Sequence, residues 1–239
     1  MTPHHILVVL TSHDTLGHTG RKTGFWLEEF ATPYYVFRDA GAAVTLASPA
    51  GGQPPIDPKS AAPEWQTDAT RRFDADDAGR DALAHTLRLS DVDAGDYDAI
   101  FFPGGHGPMW DFPDNAALAG LIEAFDAEDK PIGAVCHGPV ALVGARKADG
   151  TPLVAGRRVT GFTNGEEDAV GLRAVVPFLL EDRLRALGAT VDNAADFSAH
   201  AITDGTLVTG QNPQSSEVGA RAVLALLVAG RLAKGEGIV

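Results

Sequence analysis

Short, continuously apolar runs alternate along this chain with longer amphipathic segments, and this alternation constrains the fold more than any other feature. The runs ILVVL, AIFF and IGAV contain no polar position, which is typical of strands buried on both faces. Segments of helix length, such as NAALAGLIEAFDAED, separate these runs. The pattern predicts an α/β protein in which helices cover both faces of a mostly parallel sheet. It disfavours a two-layer antiparallel sandwich.

The last third of the chain adds a different signal. The stretch HAITDGTLVTG predicts two short strands around an Asp204-Gly205 turn, followed by a final helix capped by Ser215 or Ser216. Residues 48–66 contain five prolines and two glycines, and so many turn formers favour a surface loop or lid. We interpret residues 1–239 as one domain with a loop or lid insertion around 48–66.

Charge and composition narrow the range of partners. A formal net charge of −13, spread along the chain, creates a field that repels nucleic acid and acidic membrane surfaces. The N-terminal MTPHHILVVLTS has histidines where a signal peptide carries lysine or arginine, and its apolar run is short. With one cysteine and no export signal, we expect a cytoplasmic protein.

That single cysteine, Cys136, lies in the stretch GAVCHGPVAL. A cysteine is more often a small buried side chain than a nucleophile. Here, however, a strand precedes Cys136, and the following HGPVALVGA predicts a helix with Pro139 in its first turn. Ala134 and Gly138, two residues to either side, are small, as a nucleophile elbow requires. A thiol at a helix N-terminus is expected to have a lowered pKa and to react as thiolate.

A thiolate that attacks a carbonyl group also needs donors for the developing oxyanion. The turn FFPGGHG places Gly104 and Gly105 after a buried strand, at the sheet edge that the Cys136 elbow would share. We expect these glycines to line the site and the amides of Gly105 and His137 to form the oxyanion hole. The competing interpretation is a simple tight turn.

The helix after the first strand offers an acid or base in FWLEEF. At about 100° per residue, Trp26, Phe30 and Phe37 form an apolar stripe with Glu29 at its edge, whereas Glu28 lies opposite. Glu29 is therefore predicted to point inward, where burial would raise its pKa and let it transfer protons near neutral pH. The alternative is a carboxylate that reaches solvent from the helix edge.

The histidine after the cysteine also needs a carboxylate partner, and the turn GFTNGEED offers three. On spacing alone, Glu166, Glu167 and Asp168 remain open as partners of His137, and a solvated acidic turn is an alternative to all three.

The sequence gives no sign of a metal or a cofactor. It contains neither an H-E-x-x-H motif nor a cysteine pair. His13, His18, His106 and His200 have no spacing that would predict a shared site. The loop GHTGRKTG departs from a phosphate-binding loop because Arg21 separates Gly20 from Lys22. We therefore expect no required metal or cofactor.

With these motifs the chain resembles the ThiJ/PfpI superfamily, which has the class I glutamine amidotransferase-like fold. AVCHGP and FFPGGHG carry the resemblance most strongly. KTGFWLEEFATPYYVFRDAG, VTGFTNGEED and ITDGTLVTGQNPQSS extend it to a branch of heat-shock-induced chaperones that are glutathione-independent glyoxalases. The resemblance covers nearly the whole chain and implies a flavodoxin-like three-layer sandwich with a nucleophile elbow.

The resemblance also implies roles for the site residues. It makes Cys136 the nucleophile, Glu29 the proton-transferring carboxylate and His137 part of a Cys-His-acid arrangement. Glu167 is the best match for the acid because it stands six residues after Gly161 in GFTNGEE. Glutaminase activity is disfavoured because the only later histidine, His200, lacks the glutamate two residues away that true amidotransferases carry. The larger chaperones of the group have a metal site for which this chain shows no clear ligands.

The function that the resemblance implies is conversion of a small 2-oxoaldehyde, methylglyoxal or glyoxal, with water to D-lactate or glycolate, without glutathione. The alternatives are a holding chaperone for unfolded protein clients and a cysteine-dependent amidase, peptidase or deglycase. An oxidation-sensing thiol is also conceivable. A homodimer is expected from the resemblance alone.

Overall fold

A seven-stranded sheet forms the centre of the computed structural model, which describes residues 3–233. Its strand order is β3-β2-β1-β4-β5-β9-β8. All neighbouring strands run parallel except β9 and β8, which form an antiparallel pair. Helices cover both faces, so the predicted α/β three-layer architecture is confirmed.

The strands and α-helices have the following bounds in chain order. The strands are β1 (His5–Val9), β2 (Ala43–Ser48), β3 (Leu87–Arg88), β4 (Ala99–Phe102), β5 (Ile132–Val135), β6 (Arg158–Val159), β7 (Thr190–Val191), β8 (Ala201–Asp204) and β9 (Leu207–Gly210). The helices are α1 (Leu27–Asp39), α2 (Asp68–Asp74), α3 (Asp77–Ala84), α4 (Pro108–Asp111), α5 (Ala116–Ala127), α6 (Asn164–Ala169), α7 (Leu180–Ala186) and α8 (Ser216–Ala233).

The central strands are buried on both faces, and their alternate side chains enter two separate cores. In β1, Ile6 and Val8 join the core beneath α1 and α8, which also contains Phe30. Leu7 and Val9 join the opposite core, beneath α5. This explains why the strand sequences are apolar at every position: successive residues point to opposite faces, and both faces are dry.

The predicted C-terminal hairpin and final helix are also confirmed. The predicted cap is not seen: Ser215 Oγ accepts from the His200 amide, and Ser216 Oγ donates to the Pro213 carbonyl. β8 and β9 pair antiparallel around the turn at Asp204 and Gly205. α8 begins at Ser216 and packs its buried positions Val223 and Leu227 into the same core as α1. The hairpin brings the end of β9 beside the end of β5, where the site described below lies.

The proline-rich segment 48–66 has little regular structure of its own, only a 3-10 helix over Pro63–Trp65. It is nevertheless attached to the first turn of α1. The Phe25 amide donates to the Pro55 carbonyl, and the Asp57 amide donates to the Phe25 carbonyl. The Leu27 amide donates to Ser60 Oγ at 3.0 Å.

The remaining elements were not anticipated from the sequence. β6 and β7 form a separate two-stranded parallel sheet, and the two-residue β3 extends one edge of the main sheet. Within residues 3–233, none of the helices combines the length and the apolar character that crossing a membrane requires.

Candidate active site

The turn between β5 and the following helix holds Cys136 in a left-handed backbone conformation, with φ of 59°. Few residues other than glycine adopt this conformation, and it is typical of strained functional turns. Two hydrogen bonds hold the turn: the Cys136 amide donates to the Gly210 carbonyl at 2.9 Å, and the Cys136 carbonyl accepts from the Phe162 amide at 2.8 Å. The geometry is that of a nucleophile elbow.

Close packing explains the glycine two residues after the cysteine. A Cβ on Gly138 would lie 2.1 Å from the Phe102 carbonyl oxygen, so no other residue fits without moving the backbone of β4. Ala134, on the other side of the cysteine, is fully buried in β5. The small residue predicted after the cysteine therefore lies where the helix that follows the elbow packs directly against the backbone of β4.

The helix after the elbow differs from the predicted one. It is a 3-10 helix over Gly138–Val143, with Pro139 in its first turn. The expected lowering of the Cys136 pKa is wrong as well. Burial raises the pKa of the thiol well above its usual range, the Glu29 carboxylate raises it further, and the Gly105 amide opposes them only in part. Cys136 as a whole residue is only 3 % exposed, so desolvation outweighs the stabilising donors.

Glu29 lies inside the protein, as its helical spacing predicts, and is fully buried. Its Oε2 accepts a hydrogen bond from the Gly104 amide at 2.7 Å. Its Oε1 has no partner with regular hydrogen-bond geometry, although the Cys136 thiol is close enough to interact with the carboxyl. Burial raises the pKa of Glu29 to about 8, despite the opposing hydrogen bonds from Cys136 and Gly104. The carboxyl is therefore mostly neutral at pH 7.

The two glycines after β4 have different tasks. The Gly104 amide is bonded to Glu29, and Gly104 is absent from the pocket lining, which corrects the expectation that both glycines line the site. The Gly105 amide points to the sulfur of Cys136 and lowers the pKa of the thiol. Gly105 has φ of 88°, and a Cβ there would lie 2.5 Å from the Trp26 nitrogen. Only glycine fits this turn.

His137 connects the thiol to a buried carboxylate. Its Nδ1 lies 3.4 Å from Cys136 Sγ, and its Nε2 lies 2.7 Å from Glu167 Oε2. Because a carboxylate accepts, Nε2 carries the proton and Nδ1 presents its lone pair to the thiol. Burial lowers the pKa of His137, and the neighbouring His106 lowers it further. The neutral imidazole is thus oriented to take the thiol proton.

The three acids of the turn GFTNGEED have three separate partners. Glu167 contacts His137. Glu166 completes a capping box at the start of α6: its Oε2 accepts from the Thr163 amide at 2.9 Å, and its own amide donates to Thr163 Oγ1 at 3.0 Å. Asp168 forms an ion pair with Arg173 on the surface.

A second histidine, His106, contacts the same carboxylate, and sequence reasoning missed its place. Its Nε2 lies 2.8 Å from Glu167 Oε1, and its ring centroid lies 4.2 Å from that of His137. Burial alone would raise the pKa of Glu167, but the positive charge that His137 carries when protonated and the hydrogen bonds from both histidines lower it well below its usual range. Glu167 is therefore a carboxylate at every physiological pH.

A pocket of about 550 Å³ opens onto the sulfur. Cys136, Glu29, Gly105 and His106 line its inner part, whereas His137 does not reach it. The walls are aromatic and include Trp26, Trp65, Phe162 and Phe197. A ligand in this pocket would therefore meet the thiol, a neutral carboxyl and an exposed edge of His106, with the His137–Glu167 pair behind the thiol.

Among the described residues, one group could hold a metal ion: His106, His137 and Glu167 have ligand atoms within 4.8 Å of one another. These atoms are joined by hydrogen bonds of 2.7 and 2.8 Å, so an ion would have to displace the protons between them. His106 does not share a site with the other histidines considered from the sequence. His13 stacks on Trp110, and His200 contacts the Asp192 carbonyl. That no metal is required stays a prediction.

Comparisons with known proteins identify the family of the chain. The model of the DJ-1/PfpI family matches residues 22–226. Glutathione-independent glyoxalase HSP31 of Saccharomyces cerevisiae is 32% identical over 225 residues, which cover 90% of this chain and 94% of the yeast protein.

Two solved structures are similar over nearly their whole length. Glyoxalase III from Candida albicans superimposes with a TM-score of 0.87 at 31% identity, covering 93% of this chain and 97% of that one. Rapid Encystment Protein REP24 of Francisella tularensis has a TM-score of 0.90 at 41% identity, covering 94% of this chain and 99% of that one.

Proposed function

Because the chain belongs to the DJ-1/PfpI family, and because its similar proteins include glutathione-independent glyoxalases, we propose that it is a glyoxalase III-type enzyme. It converts methylglyoxal or glyoxal with water to D-lactate or glycolate. The observation that carries this proposal is the pair formed by the Cys136 thiol and the neutral Glu29 carboxyl at the inner end of one pocket. Both groups can reach the same small substrate.

The reaction begins with the thiol proton. His137 Nδ1 takes it, and the carboxylate of Glu167 stabilises the imidazolium that forms. The thiolate then attacks the aldehyde carbon C1 and forms a hemithioacetal, while the C1 oxygen gains negative charge. We assign the oxyanion contact to the amide of Gly105, which lines the pocket, whereas the amide of His137, the second donor predicted from the sequence, belongs to a residue that does not line it.

Proton transfer between the two carbons falls to Glu29, because His137 lies outside the pocket. The neutral carboxyl protonates the C1 oxygen and becomes a carboxylate. That carboxylate removes the C1 hydrogen, giving an enediol-like state, and returns this proton to C2. Water in the pocket protonates the C2 oxygen, while His137 keeps its proton and returns it to the sulfur when the thioester is cleaved; the proton that the acid product releases at neutral pH replaces the one taken from water. When the C1 hydroxyl returns its proton to Glu29, a thioester remains, which water cleaves to the 2-hydroxy acid and free thiol.

Turnover of purified protein with methylglyoxal tests the proposal. We expect lactate to form in the absence of glutathione, and chiral analysis to identify the D isomer. Glu28→Gln is the matched control for Glu29→Gln. Glu28 belongs to the same helix but contacts Thr32 and Thr67 outside the pocket. Full lactate formation by both Cys136→Ala and Glu29→Ala would overturn the mechanism.

The remaining expectations belong to this proposal. We place the enzyme in the cytoplasm and expect a homodimer, a state that sedimentation of the purified chain would measure. Suppression of client aggregation that survives Cys136→Ala would indicate a chaperone function beside the enzymatic one. Turnover of amides but not of 2-oxoaldehydes would indicate a hydrolase.

A further inference from the structure

Two cations line the outer part of the reactive pocket without an ion-pair partner. Arg21 and Lys59 both contribute to its lining, and neither is within ion-pair distance of a carboxylate among the described residues. The chain as a whole carries a net charge of −13. Most of the described lysines and arginines are paired with carboxylates.

The two cations come from two different segments beside the pocket. Arg21 belongs to a short hairpin-like turn after β1, in which Thr15 and Lys22 form a β-bridge. Lys59 lies in the proline-rich segment, its Nζ 5.3 Å from the centre of the Trp65 ring. The segment is fixed where Ser60 accepts the Leu27 amide. Both positive charges are therefore carried by backbone that other contacts hold in place.

The acidic groups of the same pocket do not cancel these charges. Asp57 lines the pocket but is 9 % exposed. Its Oδ2 accepts from Thr23 Oγ1 and its Oδ1 from the Lys59 amide, both at 2.9 Å. Glu29, at the inner end, is mostly neutral because burial raises its pKa to about 8. Asp57 therefore offsets part of the positive charge, but two cationic side chains against one acidic side chain leave the outer part of the pocket net positive.

The size of the pocket also favours a substrate long enough to reach Arg21 and Lys59. A volume of about 550 Å³ is within the range of sites that hold drug-sized ligands. A three-carbon dicarbonyl fills only a small part of this space. The substrate that fits better is longer and extends past Trp26 and Trp65 to the two cations.

We propose that Arg21 and Lys59 form an anion-binding subsite, and that the enzyme prefers 2-oxoaldehydes that carry a negatively charged group at the end away from the aldehyde. This inference rests on the proposed function for the reacting end of the substrate. The subsite itself is independent of that reaction: it acts on any anion that approaches Cys136 through the pocket.

A matched pair of substrates tests the preference. The anionic probe is 4,5-dioxopentanoate, and the neutral probe is 2-oxopentanal, which has the same number of carbons. We expect kcat/KM to be at least about fivefold higher for the anion at low ionic strength, as two charges near the path would give. The ratio should fall toward one in Arg21→Gln/Lys59→Gln and with added salt. Arg88→Gln/Arg146→Gln, which removes two exposed positive charges outside the pocket, should leave the ratio unchanged.

A second measurement does not depend on the catalysed reaction. Cys136 is the only cysteine, so its alkylation by iodoacetate and by iodoacetamide can be followed without interference. Compared with a small free thiol, the iodoacetate-to-iodoacetamide rate ratio should be raised about fivefold. It should return to the free-thiol value in Arg21→Gln/Lys59→Gln.

The outcomes separate the two proposals. If neither 2-oxoaldehyde is turned over but the alkylation ratio is raised and depends on the two cations, the proposed function fails and the anion subsite stands. If the alkylation ratio equals that of a free thiol, or is the same in the double variant, the subsite is overturned even when both aldehydes react. A substrate ratio of one or less overturns the preference.

Discussion

Two buried glutamates act on the Cys136 thiol, Glu29 directly and Glu167 through His137, and they have opposite protonation states. Glu29 is fully buried and accepts one backbone amide, from Gly104, and burial raises its pKa to about 8. Glu167 is almost as deeply buried but lies between two imidazoles, which lower its pKa. The difference shows that burial alone does not decide the charge of a carboxyl group. The hydrogen-bonding and charged neighbours decide it. They make Glu29 a neutral proton donor that can contact the substrate and Glu167 a permanent anion that supports His137 as a base.

The largest loss of activity should come from removing the Cys136 thiol, the group on which both carboxyl groups act. Cys136→Ala should reduce kcat for methylglyoxal by more than about 10⁴-fold, because no covalent intermediate can form. Circular dichroism would verify the fold. Cysteine already carries a Cβ at the left-handed φ of 59°, so alanine adds no steric strain to the turn. Substantial residual turnover would show that the thiol is not the nucleophile that the two carboxyl groups support.

Glu29→Gln should have the next largest effect. The amide keeps the shape of the side chain but cannot move a proton from C1 to C2, so we expect kcat to fall by about 10³-fold. KM should change little, and Glu28→Gln should behave like the wild type. Exchange of the C1 hydrogen with solvent deuterium should disappear together with turnover. Persistent exchange in Glu29→Gln would mean that another base removes this hydrogen.

Glu167→Gln should cost less, about 10²-fold in kcat. A glutamine oxygen can still accept from His137 Nε2, so the tautomer of the imidazole survives while the charge that stabilises the imidazolium is lost. Alkylation of Cys136 by iodoacetamide should slow in the same variant. A loss equal to that of Glu29→Gln would contradict the ranking of the two carboxyls.

The smallest effect should be the change of kcat/KM with pH, and its alkaline limb should reflect the pKa of Glu29. Its raised pKa means that the donor form predominates below about pH 8, so kcat/KM should fall about tenfold per pH unit above that value. The acid limb should lie below the ordinary histidine pKa near 6.5, because burial lowers the pKa of His137. Activity that continued to rise above pH 8 would show that Glu29 works as a carboxylate in the resting enzyme.

Much of this architecture could be predicted from the sequence because it depends on periodicity. Apolar runs and helical stripes reveal which faces are buried, and they identify the sheet, the hairpin and the inward position of Glu29. The small residues around Cys136 likewise reflect local close packing. Two-residue strands such as β3 and β6 are too short to show any period, so they appear only in the structure.

The electrostatics of the site could not be predicted in the same way. The sequence shows a helix after Cys136 but not the depth at which the sulfur lies, and depth reverses the expected pKa shift. His106 meets Glu167 across 61 positions of sequence, a separation at which no spacing rule operates. One signal was available: Thr163 and Glu166 have the capping-box spacing, which assigns Glu166 to the helix cap and leaves Glu167 and Asp168 as candidates.

The hydrogen bond from the Cys136 amide to the Gly210 carbonyl also has a consequence for biosynthesis. β5 is placed between β4 and β9, so the neighbour that fixes the elbow is made long after the cysteine itself. A nascent chain that has not yet exposed β9 to the solvent outside the ribosome carries Cys136 without this support. The reactive centre therefore comes into being late in synthesis, only when the C-terminal hairpin has joined the sheet.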